Sequence, residues 1–382
     1  MLAVGPEYGF GLYIHWPYCT RICPYCDFNV YAAKDRDSEP LLQAIIDDVR
    51  SHRAALPDHP QLDSIFFGGG TPSLLSAKQI ERVLSAVLEI FGIKTDAEIS
   101  LEANPNDILR SDPSDWALAG INRLSLGIQS LDDQALLFLG RDHTGQNARA
   151  AVDRAQAHFD NHSVDLIYAR PGQTAEAWQR ELSDTLAIGA PHLSLYELTI
   201  EERTAFGKRA SRGDLVPMED DDQAELYDLT QDMCEAHGLP AYEVSNHASA
   251  PKYQSRHNHI YWASGDWIGV GPGAHGRLTI GGTRFTTEAA MRPHDYIAAL
   301  NPTQTALSDQ DTATEFLAMA LRPTGGLELD RFETLFGAAV NPEVLTNLVD
   351  QKLAEQDKTK LRLTQSGRLM ADYIASLLVP YE

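Results

Sequence analysis

Short apolar runs alternate with helix-like stretches along the first two-thirds of the chain. Six runs recur, each followed by a stretch whose apolar residues have helical spacing: LYIHW, DSIFF, EISLE, NRLSLGIQS, SVDLIYA and HLSLYELTI. Continuous apolar runs are typical of strands buried on both faces, as in parallel sheets. The pattern predicts an α/β fold with a partial (βα)6 barrel of the TIM type. In such barrels the chemistry lies on the loops after the strands.

The periodicity changes after the sixth unit, which indicates further domains. We predict a barrel at 1–236, a loop-rich extension at 237–300 and a mainly helical domain at 301–382. In the last domain, helices are followed by a hairpin in DKTKLRLTQSG and a final helix, which resembles a winged-helix module. Many such modules bind DNA, but this part has 12 acidic against 7 basic residues. We therefore expect a structural or partner-docking role for it.

Charge and hydropathy exclude several classes of function. The formal net charge is −23, and nucleic-acid affinity rests largely on Lys and Arg that neutralise phosphates. We expect no nucleic-acid partner. The sequence has neither a run of about 18 apolar residues nor a basic segment followed by an apolar one at its start. We expect no membrane span, no secretion signal and a reducing, cytoplasmic location.

Three of the four cysteines are crowded together: Cys19, Cys23 and Cys26 lie within eight positions, whereas Cys234 is distant. In a reducing compartment, such a group favours a metal or redox site over a disulfide framework. Structural zinc usually takes four protein ligands in separated pairs; only one group is evident here, although His15 is near. An iron–sulfur cluster is held by thiolates on a short loop. Three thiolates on a four-iron cluster leave one iron free for a substrate or cofactor.

The CxxxCxxC loop after a first barrel strand resembles the motif of radical S-adenosylmethionine (SAM) enzymes. The resemblance implies a [4Fe–4S] cluster on the three cysteines, with the free iron chelating the amino and carboxylate groups of SAM. A fourth thiolate would block that position. The resemblance also implies one-electron reduction of the sulfonium and release of a 5′-deoxyadenosyl radical. The cofactor carries that step, and the protein positions it and excludes oxygen and water.

Loops after the later strands carry side chains suited to SAM. The GGGTPS segment allows close backbone approach and offers N–H donors, an acid can bind ribose hydroxyls, and a guanidinium can clamp a carboxylate. Each position also has an ordinary interpretation, such as a glycine turn, a loop carboxylate or a surface ion pair. The resemblance implies that SAM is bound by Tyr13, Tyr25, Gly69, Gly70, Thr71, Glu102, Gln129, Arg141 and Asp165.

Longer segments narrow the resemblance to the oxygen-independent coproporphyrinogen III oxidase group, which contains the oxidase and the HemW-type haem chaperones. These segments run in order along the chain: YIHWPYCTRICPYCDF, FFGGGTPS, SLEANP, RLSLGIQS, DLIYARPGQT, HLSLYELTIE and IGVGPGAHG. The oxidase typically has CxxxCxxCxC, whereas this chain has Phe28 at the last position. The oxidase also has an extension before the first strand, whereas Tyr13 comes almost at once here. Both features favour the chaperone branch.

A third feature of the chaperone branch is the HNxxYW pattern at His257, Asn258, Tyr261 and Trp262. Histidine is a common haem-iron ligand, and the two aromatic rings offer flat apolar surface to a porphyrin. The alternative is an aromatic-rich loop that packs on the barrel with its histidines hydrogen-bonded. The resemblance favours a role in haem handling, with the iron ligand left open between His257, His259 and a residue elsewhere.

Three functions follow from these interpretations. The leading hypothesis is a haem chaperone that binds haem as cargo and transfers it to apo-haemoproteins, including respiratory enzymes at the membrane, where the protein would be peripheral. The second is oxidative decarboxylation of coproporphyrinogen III, an activity that we expect to be absent. The third, radical chemistry on a tRNA base, is opposed by the negative charge. Arg170 stands where relatives often have Leu; it would meet either a haem propionate or a surface acid.

Overall fold

Eleven strands form one sheet whose central part is the predicted half-barrel. In the computed structural model, which describes residues 4–33, 37–300 and 302–379, the strand order is β13-β12-β11-β10-β1-β4-β5-β6-β7-β8-β9. Six strands, β1 and β4 to β8, are mutually parallel. They correspond to the six apolar runs, so the predicted (βα)6 barrel is confirmed. The strands of the barrel region are β1 Phe10–Trp16, β2 Tyr18–Cys19, β3 Tyr31–Ala32, β4 Leu62–Gly69, β5 Ile93–Ala103, β6 Arg123–Gln129, β7 His162–Tyr168 and β8 His192–Glu197.

Helices follow the barrel strands and cover their outer faces. The second helix begins at a capping box, in which Ser76 and Gln79 satisfy each other's backbone N–H groups. It buries an apolar stripe that includes Ile80, Val83 and Val87. The helices of this region are α1 Glu39–Ala55, α2 Ala77–Ile90, α3 Pro105–Arg110, α4 Pro113–Leu118, α5 Asp133–Phe138, α6 Gly145–Gln156, α7 Ala175–Leu186, α8 Ala205–Ala210 and α9 Asp220–Ala236.

The segment at 237–300 is not the loop-rich extension that we predicted. Its strands extend the barrel sheet at both edges, because β9 pairs with β8 while β10 lies parallel to β1 and leads an antiparallel ribbon. Short strands with glycines at their ends hide this alternation in the sequence. The elements are β9 Asn246–Ala248, α10 Arg256–Trp262, β10 Asp266–Val270, β11 His275–Ile280, β12 Thr283–Glu288 and α11 Pro293–Ala298. Just beyond the segment, β13 Thr303–Ala306 pairs with β12 and so belongs to the barrel sheet, although 301–382 was predicted as the last domain.

The last domain has its own apolar core, built around Phe316, Phe332 and Leu361. Its helices and three-stranded sheet agree with the predicted helical, winged-helix-like module. The elements are α12 Asp309–Ala320, β14 Leu327–Glu328, α13 Leu329–Phe336, α14 Pro342–Asp350, β15 Ala354–Gln356, β16 Lys360–Leu363, α15 Gln365–Arg368 and α16 Ala371–Leu378. Among the described residues, no helix combines the length and apolar character needed to cross a membrane.

Candidate functional site

A cavity of about 650 Å³ runs through the barrel from the carboxyl ends of its strands down to α10. Its volume lies within the range of about 300–1,000 Å³ that is typical of ligand sites. The cavity brings together all predicted cluster and SAM residues. The HNxxYW residues also contribute, except Trp262. The predicted residues that line it are Cys19, Cys23, Cys26, Tyr13, Tyr25, Gly69, Gly70, Thr71, Glu102, Gln129, Arg141, Asp165, His257, Asn258 and Tyr261.

Cys19 ends β2, and Cys23 and Cys26 lie on the loop that follows, which the parallel pair of β2 and β3 closes at its base. All three are free thiols; Cys19 is buried, and Cys23 and Cys26 are half-buried. No three His, Cys, Asp or Glu side chains of the described chain converge closely enough to hold one metal ion. A cubane cluster binds each thiolate at a different iron, so its ligands do not converge on one point. Three free thiols around one cavity therefore fit such a cluster and do not fit a mononuclear zinc site.

Arg141 lies beside the cysteine loop with unused hydrogen-bonding capacity. Its guanidinium donates to Cys23 Sγ at 3.5 Å, to Asn104 Oδ1 at 2.6 Å and to the carbonyl oxygen of Gly127 at 2.7 Å. None of the ion pairs among the described residues involves Arg141, and its buried Nε has no hydrogen-bond partner there. A buried guanidinium without a carboxylate partner fits a ligand that brings its own carboxylate.

The glycine loop differs from our expectation. We expected its backbone N–H groups to face a ligand, and this is wrong for Gly69, Gly70 and Thr71. Their N–H groups donate to Glu102 Oε2 at 3.1 Å and to the carbonyl oxygens of Trp16 and Tyr18 at 2.7 and 2.9 Å. A side chain at Gly69, whose φ is +104°, would meet the His15 ring at 2.5 Å. The glycines are thus required by packing against the end of β1.

Two carboxyl groups face the middle of the cavity. Asp165 accepts hydrogen bonds from Ser125 Oγ at 2.6 Å and Ser163 Oγ at 2.7 Å. Burial raises the pKa of Asp165, and burial followed by the charge of Asp165 raises the pKa of Glu102 to about 8. The barrel walls enclose both carboxyl groups, so negative charges on Glu102 and Asp165 at the same time are disfavoured. A ligand with hydroxyl or cationic groups would stabilise the ionised forms.

Gln129 has a left-handed backbone, with φ of +66°, at a register shift between β6 and β7. Such a conformation is costly for a residue with a side chain and is often found at functional sites. The bulge turns the Gln129 side chain back towards Gly127, beside Arg141. The Gln129 amide therefore lies next to the Arg141 guanidinium.

Helix α10 closes the inner end of the cavity. His257 is buried, with Nδ1 2.7 Å from Ser64 Oγ and Nε2 2.6 Å from the Tyr261 hydroxyl. Its ring stacks on Phe66 at 5.1 Å. Burial lowers the pKa of His257 to about 3, so the imidazole is neutral. Both ring nitrogens are engaged, so neither is available to iron in this conformation.

The other aromatic residue of the pattern points away from the cavity. Trp262 packs on Tyr242 in a small apolar cluster, and Met319 of α12, in the last domain, packs against the same cluster. His259, the alternative iron ligand, also lies outside the cavity lining, and its Nε2 is 2.8 Å from Gln254 Oε1. The face of α10 that carries Trp262 therefore connects the barrel to the last domain.

The structure also decides between the two interpretations of Arg170. Its guanidinium is buried and donates to Glu181 Oε2 at 2.5 Å and to the carbonyl oxygen of Ile167 at 2.8 Å. Ser130 donates to the other carboxylate oxygen. Arg170 is not part of the cavity lining. It pairs with an acid, as one alternative held, although that acid is buried rather than on the surface.

Several polar residues around Asp165 were missed in the sequence, and one of them, His192, lines the cavity. Ser163 Oγ lies 2.8 Å from Nδ1 of His192, whose Nε2 is 2.8 Å from the Tyr242 hydroxyl. This network extends inward from Asp165. The available signal was a polar residue at every second position of otherwise apolar strands, in SVDLIYA and HLSLYE. Alternate residues of a strand share one face, so these polar positions mark the barrel interior.

Comparisons with known proteins agree with this site. The chain matches the Radical SAM superfamily over residues 13–184 and the HemN C-terminal domain over residues 307–370. It is 34% identical to the haem chaperone HemW of Lactococcus lactis, with 93% of each chain covered. It is 32% identical to the haem chaperone HemW of Bacillus subtilis, with 95% of this chain and 97% of that protein covered.

A relative from an animal and a solved structure extend the comparison. The mitochondrial radical S-adenosyl methionine domain-containing protein 1 of Bos taurus is 34% identical, with 94% of this chain and 85% of that protein covered. The structure of coproporphyrinogen III oxidase (HemN) from Escherichia coli superposes with a TM-score of 0.81 at 21% identity, covering 98% and 91% of the two chains. That likeness shows the fold. The sequence identity of 32–34% to the haem chaperones extends over nearly the whole of both chains. The chain therefore belongs to the HemW-like family of radical SAM proteins.

Proposed function

We propose that the protein binds haem and transfers it to apo-haemoproteins, while its barrel carries a [4Fe–4S] cluster and SAM. One observation carries the choice of this branch. Phe28, a residue without a thiol, lines the cavity at the position where the oxidase typically has its additional cysteine. The names of the relatives that match along nearly their whole length support the same choice.

The cluster and SAM would be held by residues at the cavity mouth and along its wall. The thiols of Cys19, Cys23 and Cys26 supply three cluster ligands. When bound, the cluster and SAM together supply one-electron chemistry. Arg141 would pair with the carboxylate of SAM, and Glu102 and Asp165 would bind its hydroxyl and amino groups. Tyr13, Tyr25, Thr71 and Gln129 complete the wall.

The part proposed for the HNxxYW residues in haem handling is to support the cavity from its inner end, without contact with the macrocycle. His257, Asn258 and Tyr261 contribute the floor of the cavity, and Trp262 joins that floor to the last domain. Iron ligation by His257 would require the release of Ser64 and Tyr261. The acceptors would be apo-haemoproteins, including respiratory enzymes at the membrane, reached from a cytoplasmic location.

Two assays on one preparation test the proposal. The cluster is rebuilt anaerobically and confirmed by EPR, and haemin is then titrated by absorbance and its transfer to an apo-globin is followed. In parallel, SAM, dithionite and coproporphyrinogen III are added and the porphyrin products are separated by chromatography. We expect haem binding and transfer without the divinyl product. Catalytic formation of that product would establish the oxidase instead.

A further inference from the structure

We propose that the flat face of the haem macrocycle rests on Ile22 and Phe28 of the cysteine loop, with a propionate paired to Arg21. The proposal rests on the haem-binding function proposed above and assigns a place to the cargo. It locates the macrocycle at the cavity mouth, at the opposite end from α10.

The first observation is exposed apolar surface at the mouth. Ile22 is 47% exposed and Phe28 is 60% exposed, and both line the cavity. Of the large apolar side chains that are exposed in the described ranges, one other lines it, Tyr196 on β8. An apolar patch at the rim of a ligand cavity indicates an apolar ligand or partner, because water contact with that surface costs free energy.

The second observation is that the backbone next to Phe28 is anchored. Asn29 Nδ2 donates to the carbonyl oxygens of Pro272 and Met291 at 2.8 and 2.7 Å. The Tyr31 hydroxyl donates to Met291 as well, at 3.1 Å. The loop is thus tied to the segments after β10 and β12, and the exposure of Phe28 is built into the fold. A loop whose backbone is already fixed loses little conformational entropy when a flat ligand covers the ring that it carries.

The third observation is charge. Arg21 is exposed and lines the same mouth, and none of the ion pairs in the described part of the chain involves it. The mouth also carries the acidic residues Asp27 and Glu201. Among the described residues of the mouth, Arg21 carries the one exposed guanidinium, and an uncharged ligand would leave that group without a partner. Haem combines an apolar planar ring with two carboxylates. A ring on Phe28 and a carboxylate at Arg21 match both parts.

The inner end of the cavity offers less to a macrocycle. The imidazole of His257 is held between Ser64 and Tyr261, and its face is covered by Phe66. Trp262 is covered by Tyr242. The free apolar surface is at the mouth, so we assign the macrocycle to that end.

The test compares haemin and metal-free protoporphyrin IX in titrations of the cluster-loaded protein. We expect Phe28→Ala and Ile22→Ala each to weaken the binding of both ligands about tenfold, because burial of one such side chain contributes about that factor. Tyr373→Ala, which removes an aromatic ring of similar exposure (56%) from α16, is the matched control and should leave both affinities unchanged. Cluster content, from iron analysis and EPR, must equal that of the parent protein.

A second comparison isolates the charge. Arg21→Gln should weaken protoporphyrin IX binding several-fold. The dimethyl ester of protoporphyrin IX has no propionate charge, so its affinity should not change. Arg212→Gln, at an exposed position outside the cavity, is the control.

The outcomes separate this proposal from its premise. If the parent protein binds no haemin, the proposed haem function fails. If the parent binds haemin and Phe28→Ala binds it equally well, the proposed position of the macrocycle at the cavity mouth is wrong. If Phe28→Ala keeps its haemin affinity but loses transfer to an apo-globin, the patch is a protein-docking surface, which also overturns the proposal.

Discussion

Nε2 of His257 lies 2.6 Å from the hydroxyl of Tyr261, four residues along the same helix. Nδ1 of the same ring lies 2.7 Å from Ser64 Oγ on β4. A neutral imidazole has one donor and one acceptor nitrogen, and the two hydroxyl groups can satisfy both. His257, the first residue of the HNxxYW pattern, therefore ties α10 to the barrel.

Replacement of His257 by Ala should destabilise the protein by about 2–4 kcal/mol, because it leaves a cavity and two buried hydroxyl groups without their partner. Urea denaturation measures the change. His294→Ala, at a histidine whose side chain is 93% exposed, should have almost no effect. Full stability of His257→Ala together with an altered haem absorption band would contradict this role and favour iron ligation.

Single replacements of Cys19, Cys23 or Cys26 by Ala should each abolish the cluster, since each thiol is expected to bind a separate iron. Iron analysis and EPR after anaerobic reconstitution measure the loss. Cys234→Ala is the control, because that thiol is buried in the barrel core outside the cavity. A cluster that survives the loss of one of the three loop cysteines would show that the ligand set is wrong.

Glu102→Gln should make the SAM-free protein more stable than the parent at alkaline pH. The pKa of Glu102 in the folded state, about 8, is above its ordinary value of 4.5, so the folded state binds the proton more tightly than the unfolded state. The stability contribution of the protonated carboxyl is fully present below about pH 4.5 and is lost as the pH rises through 8.

The Glu102 side chain is only half-buried at the cavity wall, so its charge is partly screened. We therefore expect a difference of about 2 kcal/mol between the two proteins at pH 9 and little difference at pH 5. Urea midpoints across this range measure it, and SAM affinity should fall in the same variant. Parallel stability curves for parent and variant would contradict the assignment of a raised pKa to Glu102.

Arg170→Ala should destabilise the protein by about 3 kcal/mol without changing haem affinity, because it leaves the Glu181 carboxylate buried without its cation. Arg149→Ala breaks an exposed pair with Asp184 and should cost less than about 1 kcal/mol. Thermal or urea denaturation together with haemin titration gives both values. A loss of haem affinity at unchanged stability would instead assign Arg170 to a propionate.

The barrel and the cysteine loop could be predicted from the sequence because both depend on local order. Continuous apolar runs followed by amphipathic stretches determine parallel strands and their covering helices. The spacing of Cys19, Cys23 and Cys26 lies within one loop. The position of Glu102 and Asp165 at the same cavity also followed from local order, since alternate residues of barrel strands face one interior.

The partners within the site were decided by tertiary structure alone. His257 and Ser64 are 193 residues apart, and Arg141 and Cys23 are 118 apart. No local pattern encodes such contacts, because they depend on how the walls of the barrel come together. For the same reason, the glycine loop proved to serve packing against β1, Arg170 proved to pair with Glu181, and Trp262 proved to face the last domain. Periodicity determined which side chains point inward, and packing between distant segments determined what each of them contacts.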